Sequence, residues 1–395
     1  MTTPSLETHR QQFPALANKA YFNYGGQGPL PLVSMDAIIQ GYNEVQCSGP
    51  FSGKINQWQK QETQLTRNLV ATELGIAPET LCFTENVTVG CNIALWGIDW
   101  RPGDHLLISD CEHPGIIAIV QELQRRFDLQ VSFFPLRETL NQGDPVAMIS
   151  EYLKPNTRLL VISHILWNTG QVLPLTEIVK LCHQNYNTKV LVDAAQSVGV
   201  LPLQLTETGV DFYAFTGHKW LCGPDGLGGL YVSAESLSEL SPTFIGWRSI
   251  INDERGKPIA WTPDARRYEV ATSAYPLYAA LRHAITLHHQ WGTPTERYQK
   301  ICQNSQYLWQ KLSEIPQIQC LRTTPPEAGL VSFQLTNGKS HQSLVNTLEN
   351  QCIFLRTLLD PNCVRACVHY FTLPSEMDQL IEAIGGNREQ GTGNR

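Results

Sequence analysis

The sequence predicts an α/β protein: a large domain with a mostly parallel sheet, then a smaller C-terminal α/β domain. Three observations carry that expectation. Near-continuous apolar runs of strand length recur through the first two thirds of the chain, as strands buried on both faces should read. Between them lie stretches with apolar residues at helical spacing, as crossover helices require. After about residue 270 the texture changes to one long helix followed by shorter elements. The 395 residues suit this division. Residues 1–20 read as an N-terminal segment packing near the small domain, 21–270 as the large domain and 271–395 as the small one, with a frayed tail from about 386.

Composition narrows the function. Hydrophobic residues make up 42% and charged residues 16%, which supports a sizeable core rather than a disordered chain. A net charge of −7 argues against a nucleic-acid binder. No apolar run reaches membrane-spanning length, so no membrane role is expected. The opening "MTTPSLETHRQQFP" lacks a basic region followed by an apolar core, so no secretory signal is expected. The 11 cysteines form an odd, scattered set, which suits reduced thiols in a cytoplasm better than a disulfide framework. The densest group, "CVRACVH", holds Cys363, Cys367 and His369. Its spacing matches no standard zinc pattern and its alternation suits a half-buried strand, so no metal is expected.

Along the chain, the glycines of "YGGQGPLP" (24–31) and "GPDGLGG" (223–229) match neither a Walker loop nor a dinucleotide fingerprint. They read as tight turns where backbone passes closely. In "TENVTVGCNIALW" (84–96), Asn86 is placed to cap a helix, and free N–H groups at such a start favour an anion such as phosphate. "HLLISD" (105–110) is a strand, and "SDCEHPGII" then sets His113 just past its end, before a proline that opens the helix "PGIIAIVQELQRRF". "VSFFPL" (131–136) and "RLLVISHI" (158–165) are further strands, with Trp167, Asn168 and Gly170 clustered after the second. The helix "LTEIVKLCHQNYN" leads to the strand "KVLVDAA" (189–195). Asp193 ends that strand, where α/β sheets bind ligands. It either caps the following helix or meets a buried cation, and Gln196 can face the same crevice. "DFYAF" runs into Thr216, Gly217, His218 and Lys219, before the strand "GGLYVS" (228–233).

The last third begins with the long helix "YPLYAALRHAITLHHQWG". "GLVSFQLTNG", "CIFLRTL" and "CVRACVHYF" read as strands. "PSEMDQLIEAI" is a helix, with Ser375 and Asp378 at N-cap and N3 spacing.

Lysine is rarely found near a core without a partner. At Lys219, three other strand ends supply His113, Asp193 and Asn168. An amine, a carboxylate, an aromatic ring and a phosphate-ready helix start are the parts that pyridoxal phosphate (PLP) needs. The lysine bonds the cofactor and the acid pairs with its ring nitrogen.

"TGHKWLCGPDGLGGLYV", with "VLVDAAQSVG" upstream, resembles the class V aminotransferase family of fold-type I PLP enzymes. The family includes cysteine desulfurases and epimerase-like proteins, and the sequence is most similar to its cystine C–S lyases. The resemblance extends from "YFNYGGQGPLP" to "VRACVHYFTLPSEMDQLIEAI". It implies that Lys219 carries the cofactor, Asp193 holds the ring nitrogen protonated, Gln196 reaches the ring oxygen and His113 stacks on the ring. It also implies phosphate contacts from backbone at Val87 and Thr88 and from Thr216 and His218. Thr272, in "RRYEVATS", would reach the phosphate of a neighbouring subunit, which implies a homodimer. Arg365 would fork onto the substrate carboxylate, with Arg356, Trp247 and Asn168 as further pocket residues. The implied activity is β-elimination of L-cystine to pyruvate, ammonia and cysteine persulfide, and less readily of L-cysteine, whose leaving group is plain sulfide. Iron–sulfur acceptor proteins are then the implied users of the sulfur.

One departure separates relatives. Desulfurases carry a nucleophilic cysteine in a mobile loop after an arginine–threonine–glycine stretch. The corresponding run here is "LRTLLDPNCVRAC", with Arg356 and Thr357 but a much shorter loop. Cys363 reads as a strand cysteine, which disfavours a route to alanine. A second departure is Trp167, where desulfurases of the group tend to have asparagine. Three alternatives stand beside the lyase. They are a desulfurase using Cys363, an epimerase- or kynureninase-like enzyme, and a PLP-binding sensor or sulfur carrier without turnover.

Overall fold

The computed structural model describes residues 5–385. The apolar runs of the first two thirds form one seven-stranded sheet. Across it lie Leu81–Thr84, Gly228–Val232, Phe212–Thr216, Lys189–Asp193, Thr157–Ser163, His105–Ser109 and Gln130–Phe134. Only Gly228–Val232 runs against its neighbours. The remaining pairs are parallel.

The continuous apolar runs follow from burial on both faces. In Thr157–Ser163, Leu159 and Val161 join Cys91, Ile116 and Val120 in one core. Leu160 and Ile162 join Ile178, Val179 and Leu281 in the other. The helices Val87–Gly97 and Pro114–Phe127 cover the first face, and Leu175–Tyr186 and Tyr275–Trp291 the second. Because the strands run alike, Thr84, Ser109, Ser163, Asp193 and Thr216 all finish at one end of the sheet.

A second, antiparallel sheet orders Ile318–Cys320, Leu330–Leu335, Asn362–Cys367 and Arg356–Leu359. Val331, Phe333, Val364 and Ala366 pack on one face with Leu308, Val345 and Leu380 of the covering helices. Leu330 and Cys367 join the core shared with the large sheet, so Arg365 also turns that way. The N-terminal segment reaches the same region. Ala20–Tyr21 pairs in parallel with Ile353–Phe354, and Arg10 bonds Phe371 O at 2.8 Å and Glu376 at 2.9 Å.

Three local expectations are corrected. The strand expected to be half-buried, "CVRACVH", is buried from Cys363 through His369, because helices cover one face and the large sheet the other. "CIFLRTL" is broken at Leu355, so its two halves pair with different partners. The last helix starts at Pro374, not after Ser375. Glu376 Oε2 accepts from Leu373 N at 2.7 Å, while Asp378 takes the Tyr307 hydroxyl at 2.5 Å. The expected frayed tail lies outside the described residues. No helix among the described residues is long and apolar enough to cross a membrane.

Candidate active site

Lys219 stands in the turn that leaves Phe212–Thr216, and backbone contacts fix that turn. Gly217 N donates to Leu227 O and Gly223 N to Gly217 O, both at 2.9 Å. Gly28 N donates to His218 O at 2.7 Å. A Cβ on Gly28 would lie 2.1 Å from Lys219 O. The two glycine-rich runs are therefore one close backbone crossing. Behind it, His369 Nε2 meets Trp220 O and His288 Nε2 meets Leu221 O, each at 2.9 Å. A carbonyl only accepts, so both imidazoles carry their proton on Nε2.

The Lys219 side chain reaches into a cavity of about 460 Å³. Gly25, Asn86, Val87, Thr88 and Val89 line part of it. His113, Ser163, Ile165, Trp167, Asp193, Ala195, Gln196, His218, Arg356 and Arg365 complete the lining. Lys219 Nζ makes no hydrogen bond or ion pair with another described residue, while its carbonyl accepts from Cys222 N at 3.0 Å. Burial lowers its pKa to about 8, and Arg365 and Arg356 push the same way against Asp193. Asp193 is buried with one oxygen accepting from Ala195 N at 2.9 Å. Burial raises its pKa, while Lys219 and His113 oppose that shift. Asp193 thus caps a turn, since no helix follows before Leu205, and it lies in the field of Lys219 without an ion pair to it.

The other groups divide by chemistry. Asn86 Oδ1 caps Val89 N at 3.0 Å, leaving the N–H groups of Val87 and Thr88 without an intrahelical acceptor. Gln196 accepts from Trp220 Nε1 at 2.8 Å and donates to Gly25 O at 2.9 Å. The second hydrogen of its amide remains for a ligand. His113 Nδ1 accepts from Gly115 N at 3.2 Å, and its ring meets the edge of Trp167 at 5.5 Å. Burial lowers its pKa, with Asp193 pulling the other way. Arg356 and Arg365 face each other across their strand pair. Arg365 is 1% exposed, and its Nη1 donates to Trp167 O at 2.8 Å. Its Nε and Nη2 have no partner among the described residues. A buried, unpaired guanidinium is costly and marks the place of an anion.

Four expected site residues fall elsewhere. Asn168 is buried behind the wall, where its Nδ2 points to Asp360 O at 3.4 Å and its carbonyl accepts from Ser332 Oγ at 2.6 Å. Its neighbour Trp167 faces the cavity instead. Thr216 does not line the cavity; its hydroxyl holds His218 Nδ1 at 2.6 Å. Trp247 and Thr272 line a separate surface cavity with Phe51 and Arg67, so a single chain does not bring them to Lys219.

Two residues were missed. Glu112 is buried beside His113, accepting from Ser109 Oγ at 2.5 Å, Ser163 N at 2.9 Å and Ser163 Oγ at 2.7 Å. Ser163, its partner, lines the cavity. The available signal was a second acid, two residues after Asp110, in the strand-to-helix turn of "SDCEHPGII".

The donor set fits pyridoxal phosphate. A free helix start suits a phosphate, a buried carboxylate suits a protonated ring nitrogen and an unpaired amine suits a carbonyl carbon. The two unpartnered arginine nitrogens suit a carboxylate.

Comparison with known proteins agrees. The family model "Aminotransferase class-V" matches residues 20–377. Among solved structures, a lysine-to-alanine mutant of C-DES, with glycine covalently linked to its PLP cofactor, superposes with a TM-score of 0.94. It is 50% identical, over 97% of this chain and 99% of that one. The complex of the cystine C–S lyase C-DES with its product cysteine persulfide gives 0.93 and 51%, over 95% and 99%. The cysteine desulfurase of Escherichia coli O127:H6 is 29% identical over 94% of this chain and 92% of its own.

Proposed function

The chain belongs to the class V aminotransferase family, as a PLP-dependent enzyme of the C–S lyase and desulfurase group, and from that premise we propose that it β-eliminates L-cystine. The products are pyruvate, ammonia and cysteine persulfide. Persulfide is the better leaving group, so cystine turns over more readily than cysteine. The observation that carries elimination over desulfuration is the position of Cys363. That thiol is fully buried in the middle of the second sheet, and burial pushes its pKa up to about 11. A thiol that is neither mobile nor ionised cannot take sulfur from a substrate.

The roles of the cavity residues follow from their chemistry. The bound cofactor supplies an electron sink that acidifies the substrate Cα–H. Arg365 presents Nε and Nη2 as a fork for the α-carboxylate, with Arg356 beside it. Lys219 Nζ takes the Cα proton, an exchange suited to an amine whose pKa is near 8. Asp193 would hold the proton of the cofactor's ring nitrogen, and His113 would pack against the ring. Val87 and Thr88 N–H groups with His218 hold the phosphate, and Thr216 fixes the His218 ring. Gln196 donates its free amide hydrogen to the ring oxygen. Trp167 takes the place in the wall expected for Asn168.

A homodimer is part of this proposal. Thr272 and Trp247 lie away from Lys219 in their own chain, as residues serving a neighbour's site would. The 11 free cysteines suit a reducing cytoplasm, and the persulfide product suits delivery to iron–sulfur acceptor proteins.

The competing proposal is a desulfurase that uses Cys363. Turnover of Cys363→Ser decides between them: a lyase keeps its rate, and a desulfurase loses it.

A further inference from the structure

The turn between the two arginine-bearing strands is tied down by two contacts, one from Arg137 and one from Asn168. Arg137 Nη1 and Nη2 grip Asp360 Oδ1 and Oδ2 at 2.7 and 2.8 Å. Arg137 follows the edge strand Gln130–Phe134, and its own N–H donates to Asp110 Oδ1 at 3.1 Å, three residues before His113. Asp360 sits between Arg356–Leu359 and Asn362–Cys367. Its carbonyl accepts from Asn168 Nδ2 at 3.4 Å, next to the Trp167 carbonyl that holds Arg365. Cys363, three residues after Asp360, is fully buried. It feels the charges of Arg365, Arg137 and Asp360.

We propose that Arg137 and Asp360 form a clasp that fixes the arginine hairpin over the cavity, presenting Arg365 to the substrate carboxylate and keeping Cys363 sealed. Both are positioning residues, acting through Arg365 and Cys363 without touching substrate. An isolated surface ion pair contributes little. This pair is bidentate and ties the turn between the strands of Arg356 and Arg365, both of which line the cavity, to the segment after the large sheet's edge strand, where fixed geometry matters more than energy. The clasp deepens the lyase assignment and rests on it for its kinetic consequence, because a sealed thiol leaves elimination as the open route.

The test compares the unaltered holoenzyme with Asp360→Asn and the milder Arg137→Lys, which keeps the charge and loses the fork. Two quantities are read: KM and kcat for L-cystine, and the rate at which iodoacetamide alkylates Cys363, followed by peptide mass. The clasp predicts a KM raised about fivefold in Asp360→Asn, the size of an exposed ion pair's contribution, with kcat within about twofold. It predicts Cys363 alkylation faster by about tenfold, from local opening, with buried Cys91 and Cys182 unchanged. Arg137→Lys should shift both quantities the same way by less. Unchanged KM and alkylation in both variants would overturn the proposal. So would an equal rise in alkylation at Cys91 and Cys182, which reports general loosening. Alanine in place of pyruvate from the unaltered enzyme would remove the lyase assignment, and Cys363 alkylation would still decide the clasp.

Discussion

Arg365 Nη1 donates to Trp167 O at 2.8 Å, while Arg365 Nε and Nη2 meet no acceptor among the described residues. One bond to the cavity wall aims the guanidinium, and the two idle nitrogens form a fork. The fork shares its cavity with the Lys219 amine, so an amino acid held by its carboxylate is presented to the group that handles its Cα.

Replacing the fork should cost more than replacing the charge. Arg365→Lys keeps a cation but loses the bidentate geometry. Its kcat/KM for L-cystine is expected to fall about 100-fold, the loss of a charge-assisted bond. Arg356→Lys, whose parent guanidinium is exposed, should lose less. Steady-state kinetics of the two variants side by side check the order.

Lys219 sets the pH dependence of cofactor loading. Burial and two arginines lower its pKa to about 8. Only the neutral amine attacks a carbonyl, so the rate of loading the apoprotein with PLP should rise with pH through about 8 and then level. Lys219→Ala should lose the covalent attachment of PLP to the protein on borohydride reduction, and lose turnover. A variant that kept both would remove Lys219 from the site.

Glu112 gives a stability signature of the opposite sign to most carboxylates. Burial raises its pKa from 4.5 to about 7, so between those values the folded protein holds more protons than the unfolded chain. Its contribution is full below 4.5 and is lost as pH rises through 7. Glu112→Gln removes this slope. The melting temperature of the variant minus that of the wild type should be more positive at pH 8 than at pH 5.

Gly28 has no room for a side chain, since an added Cβ meets Lys219 O at 2.1 Å. Gly28→Ala should destabilise the protein by about 3 kcal/mol, as severe overpacking does, and lower its PLP content. Thermal unfolding and cofactor absorbance check the two effects together.

The sequence shows some of this directly and hides the rest. The strand ends that place His113, Asp193 and Lys219 were legible, because burial on both faces writes continuous apolar runs and parallel strands finish together. The helix start at Asn86 was legible from its cap. Asn168 was misplaced because adjacent residues after a strand face opposite ways, and which of Trp167 and Asn168 turned inward depended on Ser332 and Asp360 in the other sheet. Glu112 was missed because its partners, Ser109 and Ser163, end two different strands. Arg137 and Asp360 lie 223 positions apart, and nothing local marks either as a partner of the other. The half-buried reading of "CVRACVH" failed because Arg365 and Cys367 turn to the cavity and large sheet while Val364 and Ala366 turn to the helices, so both faces are covered.

Product analysis tests the central claim most directly. The PLP-loaded protein is mixed with L-cystine and, separately, with L-cysteine, and pyruvate and alanine are quantified. β-Elimination predicts pyruvate from cystine with persulfide released into solution. Alanine from cysteine, with sulfur retained on the protein, would contradict it and make Cys363 the nucleophile.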